Sequence, residues 1–152
     1  MSLETDVQIL ASVPMLSEFS DDKLRLLAFS SENRTYRDGQ RLFAAGDRAD
    51  AGFVIADGRV ALHEPGRPDP VTVLGPGALV GELALIVDGQ RAMTATAVGA
   101  ATAIMIRRPV FRRMLDEYPD IAARMRARFA DQLSATTRAL LIVRDRLDRI
   151  GE

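Results

Sequence analysis

The sequence contains no cysteine and no tryptophan, and His63 is its only histidine. Without cysteine the chain has no disulfide, thiolate zinc site, iron–sulfur cluster or cysteine nucleophile. A metal-dependent β-barrel enzyme normally needs several histidine ligands, and a Ser-His-Asp hydrolase would depend on this single residue. Because His63 follows the alternating run 60–62, we interpret it as a polar residue near the end of a strand. These absences argue against an enzyme.

Long apolar runs and an excess of one charge are also missing. No stretch approaches the roughly 20 apolar residues of a transmembrane helix, and the N-terminus has no basic segment followed by an apolar one, so we expect a cytoplasmic protein without a membrane span. The net charge of −1 indicates no general affinity for nucleic acid. With 152 residues, 47% of them hydrophobic, the chain is expected to form one domain. Arginine greatly outnumbers the single Lys23, which is consistent with a GC-rich bacterial genome.

The distribution of glycine and apolar residues predicts a mainly β fold with flanking helices, an α+β architecture. Residues 6–11 and the segment that follows Ser20 have apolar side chains at helical spacing, so two short N-terminal helices are expected. From Tyr36 onward, glycines separate short runs rich in Val, Ile, Leu and Thr, which is the pattern of an all-β roll.

Two local sequence patterns predict a hairpin in this roll and the position of its last strand. Asp57-Gly58 lies between two apolar runs and predicts a tight β-hairpin. The run 101–106 is interpreted as the last strand, because Pro109 and an apolar pattern with helical spacing come after it.

After Pro119 the sequence is helical in pattern and rich in arginine. We therefore divide the chain into 1–118, with the N-terminal helices and the roll, and 119–152, a C-terminal helix that pairs with a second copy in a parallel homodimer. The alternative is a helix that packs on its own roll, since Leu141 and Ile142 widen the apolar stripe. The positions with the a and d spacing of a coiled coil are Phe129, Leu133, Thr136, Leu140, Val143, Leu147 and Ile150.

The segment 81–94 has the residue types that bind an anion next to a hydroxyl group. Small residues at Gly81 and Ala84 allow backbone amides to approach an anion, and a short helical turn beginning here would direct its dipole toward it. Arg91 provides a planar, permanent charge that matches two phosphate oxygens, whereas Glu82 can accept a hydrogen bond from a hydroxyl but repels a bare phosphate. The pair predicts a ligand with both groups, such as a ribose phosphate. The alternative is that Glu82 and Arg91 pair only with each other.

The order of these residues resembles the phosphate-binding cassette of cyclic-nucleotide-binding domains, the family of the catabolite activator protein and the protein kinase A regulatory subunit. The glycine-marked segments 45–60 and 74–77 also resemble that family, so the similarity covers nearly the whole chain. One departure is Val80, where many relatives have an aromatic residue. The resemblance implies a double-stranded β-helix, or jelly-roll-like β-roll, whose ligand is a cyclic nucleotide and which needs no cofactor or metal.

The resemblance also implies a role for each cassette residue. Glu82 would bind the ribose 2′-hydroxyl and Arg91 the exocyclic oxygens of the cyclic phosphate. In related eukaryotic domains a threonine directly after the arginine favours cGMP, and the alanine found here favours cAMP, with cGMP as the second candidate. Contacts made mainly by the backbone are implied for Gly81, Leu83, Ala84 and Ala92.

The C-terminal helix resembles the dimerisation helix of the catabolite activator protein, in which adjacent hydroxyl residues contact adenine, one from each subunit. Counted from Pro119, these positions are Thr136 and Thr137. Thr136 also occupies a d position, which faces the partner helix in a coiled coil. The alternative is an ordinary helical threonine that bonds its own backbone.

Together the residues and the resemblance to this family predict a cAMP receptor in which the bound ligand orders the cassette and repositions the C-terminal helices. Two alternatives remain: a roll of the same family that serves only as an interaction or dimerisation module, and a receptor for another small phosphorylated ligand. The presence of Glu82 and Arg91 argues against the first. A cupin-like enzyme is a third class, but its metal ligands are missing. Aspartates are interleaved with the C-terminal arginines, so we expect no DNA-binding element in this chain.

Overall fold

The computed structural model describes residues 2–127 and 130–131. The chain divides into two compact units, Met1–Glu117 and Tyr118–Glu152. In the second unit the described backbone is helical at 119–127 and 130–131. Most of the segment predicted as the homodimer helix, including Thr136 and Thr137, lies outside the described residues, so the homodimer and the functional division at residue 118 stay predictions. None of the described helices has the length and apolar character needed to cross a membrane.

Within the described residues, the first unit has two N-terminal helices, six strands and a closing helix. Two short 3₁₀ turns, Pro14–Leu16 and Glu82–Leu85, interrupt this series. This order confirms the predicted mainly β fold with flanking helices. The helices and strands are α1 (Leu3–Ser12), α2 (Asp21–Phe29), β1 (Glu32–Tyr36), β2 (Arg41–Phe43), β3 (Ala51–His63), β4 (Thr72–Leu74), β5 (Leu79–Val80), β6 (Thr94–Arg107) and α3 (Arg108–Asp116).

Helix α2 begins where the sequence predicts a cap. The Ser20 side chain accepts a hydrogen bond from the Lys23 amide at 3.4 Å, which satisfies one of the free amide groups of the first turn. On the inner face, Leu24 and Leu27 are 1% and 2% exposed. Each such burial contributes about 1.5–3 kcal/mol to stability, so the apolar stripe attaches this helix to the core.

The sheet is antiparallel and is built around its two longest strands, β3 and β6. These strands pair from Ala51 opposite Arg107 to His63 opposite Thr94. Strands β1 and β2 pair with β6, whereas β4 and β5 pair with β3. His63 is the last residue of β3, as the sequence predicts. The core between the strands is formed by Tyr36, Ala51, Phe53, Ile55, Val60, Val80, Ala95, Ala97, Ala101, Ala103 and Met105.

The predicted hairpin at Asp57-Gly58 is wrong. Both flanking runs belong to β3, which passes through this pair without reversing direction. Gly58 has a φ of +80°, and the register with β6 shifts on both sides of Asp57, so the pair forms a β-bulge. A Cβ at Gly58 would lie 2.3 Å from the carbonyl oxygen of Ala100. The dipeptide signals a positive φ, but pairing with a distant strand decides whether the chain turns back.

The predicted last strand is confirmed and is longer than the run 101–106, since β6 extends from Thr94 to Arg107. Helix α3 follows without a loop and has Pro109 in its first turn, where the missing amide hydrogen costs nothing. Its predicted apolar face is buried, with Phe111 fully inaccessible. The junction places the first turns of α3 next to the segment that follows β5.

Candidate functional site

A glycine begins the predicted helical turn after β5. Gly81 has a left-handed φ of +73°, and the 3₁₀ turn Glu82–Leu85 follows directly. A Cβ at Gly81 would lie 2.5 Å from Nη1 of Arg91. Glycine is therefore required twice here, once for the backbone conformation and once for the space that the guanidinium occupies. Leu85 is fully buried and packs over Gly52 of β3, which fixes the turn on the sheet.

The Arg91 guanidinium is buried beside this turn, and the residue is 7% exposed. Its Nη2 donates a hydrogen bond to the carbonyl oxygen of Ala51 at 2.6 Å, while its Nε has no hydrogen-bond partner in the described part of the chain. The guanidinium Cζ lies over the Phe43 ring, 4.2 Å from the ring centroid. The Phe53 ring centroid is 5.8 Å away. Arg91 is thus buried with part of its donor edge unused.

No carboxylate forms an ion pair with Arg91 in the part of the chain that the structure describes. In particular, Glu82 does not pair with it, so the alternative of a simple Glu82–Arg91 salt bridge is not what the structure contains. Burial lowers the pKa of Arg91, because desolvation disfavours the charged form, and the more distant Asp50 and Asp47 oppose this effect. A desolvated cation without a counter-ion favours an anionic ligand.

The main chain of Arg91 is held by the loop between β2 and β3. The Arg91 amide donates to the carbonyl oxygen of Asp47 at 2.7 Å, and the Gly46 amide donates to the carbonyl oxygen of Arg91 at 2.8 Å. Nearby, the Ala45 amide donates to the Thr94 hydroxyl at 2.9 Å. These bonds fix the second half of the cassette. Sequence reasoning recognised the glycine of this loop but not the contacts that it makes.

A pocket of about 240 Å³ lies in front of the turn, slightly smaller than the roughly 300–1,000 Å³ typical of small-molecule sites. Five predicted site residues converge on it: Gly81, Leu83, Ala84, Arg91 and Ala92. The pocket also has an apolar lining, formed by Val80 and Met93 at the two ends of the predicted cassette and by Phe43 and Leu62, which sequence reasoning missed. Phe43 and Leu62 lie on β2 and β3, far from the cassette in sequence, and no local motif marks them.

Glu82 differs from the other cassette residues because it does not line the pocket. The residue is exposed, yet partial desolvation raises the pKa of its carboxyl group above the usual glutamate value. Its carboxylate therefore accepts a proton more readily than that of an ordinary surface glutamate.

Behind the turn, Arg108 connects α3 to the cassette, a role that sequence reasoning also missed. Its Nη1 donates to the carbonyl oxygens of Ala49 at 3.0 Å, Ala84 at 3.2 Å and Val87 at 2.9 Å. One turn later, Nη2 of Arg112 donates to the carbonyl oxygen of Ile86 at 3.2 Å. The first two turns of α3 thus bind the backbone on which the pocket is built. A helical sequence pattern does not reveal which carbonyl groups its arginines reach.

The sequence matches known proteins over most of its length. The profile of the cyclic nucleotide-binding domain family matches residues 33–118. The cyclic AMP receptor protein of Thermus thermophilus is 28% identical over 123 residues, which are 79% of this chain and 57% of that protein. The type II regulatory subunit of cAMP-dependent protein kinase from Drosophila melanogaster is 30% identical over 120 residues, 77% of this chain and 32% of that protein. The chain thus spans about half and a third of these two relatives.

Solved structures agree with the sequence matches. A cyclic nucleotide-binding-like protein from Brucella abortus is 38% identical, with a TM-score of 0.66, 73% coverage of this chain and 97% of that one. The N-terminal domain of a transcriptional regulator from Streptomyces coelicolor is 30% identical, with a TM-score of 0.72 and coverages of 84% and 94%. The catabolite activator protein of Thermus thermophilus is 26% identical, with a TM-score of 0.72 and coverages of 86% and 62%. Because the family profile matches more than half of its residues, the chain belongs to the cyclic nucleotide-binding domain family, whose members are regulatory or sensor modules rather than enzymes.

Proposed function

We propose that this chain is a cAMP-binding regulatory domain whose pocket lies between the 81–85 turn, Arg91 and the apolar residues in front of them. The observation that carries the proposal is the Arg91 guanidinium, which is buried at the pocket and, among the residues that the structure describes, has an unpartnered Nε and no ion-paired carboxylate. The exocyclic oxygens of a cyclic phosphate fit such an edge, because charge-assisted bonds to a guanidinium are strong in a desolvated site. An exposed arginine already paired with a carboxylate would not support this function.

The backbone of the turn supports the same ligand. The Ala84 amide donates to the carbonyl oxygen of Gly81 at 3.1 Å, but the first amide groups of a helical turn have no partner within the turn. Glycine at 81 and alanine at 84 add little bulk that could cover these first amides. We propose that these amides and Arg91 bind the phosphate together, with backbone contacts from Leu83 and Ala92. Glu82 is proposed to accept the ribose 2′-hydroxyl, which requires its carboxylate to turn toward the ligand.

Two observations favour cAMP over cGMP. Ala92, directly after the cassette arginine, provides no side-chain hydroxyl for a guanine base. The two curated relatives described above are a cyclic AMP receptor protein and a regulatory subunit of a cAMP-dependent kinase. We therefore expect cAMP to bind more tightly, and cGMP to compete for the same pocket.

We propose that α3 transmits the conformational change caused by ligand binding. Arg108 and Arg112 hold the carbonyl groups at the far end of the cassette turn, so a ligand that moves this turn also changes the position of α3. The predicted homodimer, and base contacts from Thr136 and Thr137 across it, complete the proposal for the C-terminal helix.

Thermal unfolding with cAMP, cGMP and AMP tests the function directly. Ligand at 100 times its dissociation constant adds about 2.7 kcal/mol of stability, which corresponds to a rise in Tm of about 5–10 °C for a chain of this size. We expect the largest shift with cAMP, a smaller one with cGMP and the smallest with AMP. If protein verified to be free of nucleotide shows no shift with either cyclic nucleotide at millimolar concentration, the proposal is wrong.

The position of Glu82 outside the pocket lining supports a second candidate, a small phosphorylated ligand that makes no ribose contact. The AMP measurement, extended to inorganic phosphate, separates the two. Equal or larger shifts with these ligands than with cAMP would establish the second candidate.

A further inference from the structure

The Arg91 guanidinium makes two kinds of contact, one with an aromatic ring and one through its N–H groups. Its Cζ lies over the Phe43 ring, 4.2 Å from the ring centroid. Its edge carries the N–H groups, of which Nη2 donates to Ala51 and Nε has no partner. Because N–H bonds lie in the guanidinium plane, stacking on a ring leaves the donors available.

In a site that binds an anion, the cation must be stable before the ligand arrives. A buried cation is unfavourable without a compensating partner, but a carboxylate partner would occupy the edge that the ligand needs and would repel its phosphate. An aromatic face stabilises the charge by its quadrupole and occupies none of the donors. Arg91 has no ion-paired carboxylate among the described residues. Its charge is compensated by the Ala51 carbonyl and the more distant Asp50 and Asp47, and the Phe43 ring is the nearer of two aromatic rings beside it.

Phe43 is suited to this role by its position. It is the last residue of β2, it lines the pocket, and its ring lies 5.8 Å from that of Phe53, at an interplanar angle of 38°. Phe53 belongs to the buried core, so this contact limits how far the Phe43 ring can shift. The ring thus connects Arg91 to the rigid part of the sheet.

We propose that Phe43 is a positioning residue for phosphate recognition, whose ring stabilises the face of the Arg91 guanidinium and directs its free edge at the ligand. The proposal rests on the cyclic-nucleotide function proposed above. It assigns Phe43 to the phosphate end of the ligand through Arg91, in addition to any apolar contact that the ring makes with the nucleoside.

The test compares ligands with and without the phosphate. Dissociation constants for cAMP and adenosine are measured by calorimetric titration of the wild type, Phe43→Leu and Phe43→Tyr. We expect Phe43→Leu to weaken cAMP binding by about tenfold and adenosine binding by less than threefold, while Phe43→Tyr, which keeps the ring, stays within threefold of wild type for both. The matched control is Met93→Ala, which removes apolar pocket lining and should weaken both ligands by the same factor. Equal weakening of cAMP and adenosine by Phe43→Leu would overturn the proposal.

A second measurement does not depend on any ligand. Thermal unfolding of Phe43→Leu, Arg91→Met and the double variant forms a cycle that isolates the interaction between the two side chains. We expect Phe43→Leu to lower Tm by more in the wild type than in the Arg91→Met background. If the Tm changes of the two single variants add up to that of the double variant, Phe43 does not stabilise Arg91 and the proposal is wrong. If the changes are not additive but the protein binds no cyclic nucleotide, the proposed function is wrong and the contact between the two side chains stands. Should Phe43→Leu fail to fold, Phe43→Met replaces it, since methionine keeps most of the volume without a ring.

Discussion

Replacement of Arg91 by methionine is expected to remove ligand binding without unfolding the protein. The change removes the hydrogen bond to Ala51, which leaves a buried carbonyl unpaired at a cost of about 1–3 kcal/mol. It also removes the stacking on Phe43, worth about 1–2 kcal/mol in a desolvated site. Against these losses, a buried charge that costs several kcal/mol to desolvate is eliminated. The free energy of unfolding should therefore stay within about 2 kcal/mol of wild type.

The effect on binding is much larger. Two charge-assisted hydrogen bonds of about 1.5–3 kcal/mol each correspond to a loss of at least about 150-fold in affinity. A cAMP concentration that stabilises the wild type by about 2.7 kcal/mol would then stabilise the variant by about 0.3 kcal/mol, or about 1 °C in Tm.

The assay is thermal unfolding of Arg91→Met with and without cAMP, next to Arg59→Met as a control for the loss of an exposed arginine on β3. The control should keep the full ligand shift. A variant that unfolds before any ligand is added would show that Arg91 is mainly structural, and a variant that keeps more than half of the shift would show that another group binds the phosphate.

Three further changes test other parts of the site. Gly81→Ala places a side chain at φ +73° and crowds Nη1 of Arg91, so it should cost about 1–3 kcal/mol in urea unfolding and weaken cAMP binding; unchanged stability and affinity would contradict the geometry. Arg108→Met leaves three carbonyl oxygens without their donor and should lower the free energy of unfolding by about 2–5 kcal/mol, whereas a variant as stable as wild type would mean that water replaces the guanidinium. Because desolvation raises the pKa of Glu82, binding titrations over a pH series should show that cAMP affinity falls, as the carboxylate is protonated, at a higher pH than for an ordinary glutamate. Glu82→Gln should bind cAMP more weakly, and its affinity should not change with pH over the same range. If the affinity of Glu82→Gln falls with acid as steeply as that of wild type, another group is responsible for the titration.

The cassette was predictable because its parts are close together in the sequence. The local backbone geometry depends on these residues themselves: a glycine that starts the turn, small neighbours, and an arginine a few residues later. The structure accordingly has the turn at Glu82–Leu85 and Arg91 beside it. The N-terminal cap of α2 and the helix after Pro109 were predictable for the same reason.

The error at Asp57-Gly58 shows where local reasoning stops. A positive φ at glycine suits both a hairpin and a bulge, and the sequence around it is apolar on both sides in either case. Pairing of β3 with β6 across many residues selects the bulge, because a continuous ladder satisfies more backbone groups than a reversal at this point.

The sequence by itself determined the mainly β architecture, the cassette and the types of group that its ligand must offer, since each of these depends on composition or short spacing. The order of the cassette residues also carries the resemblance to the family. Only the tertiary structure decided which distant residues complete the site. Phe43 stacks on Arg91, Arg108 holds the turn from behind, and Glu82 lies outside the pocket lining. These relations depend on how strands far apart in sequence pack together, and that packing is the result of the whole chain burying its apolar surface at once.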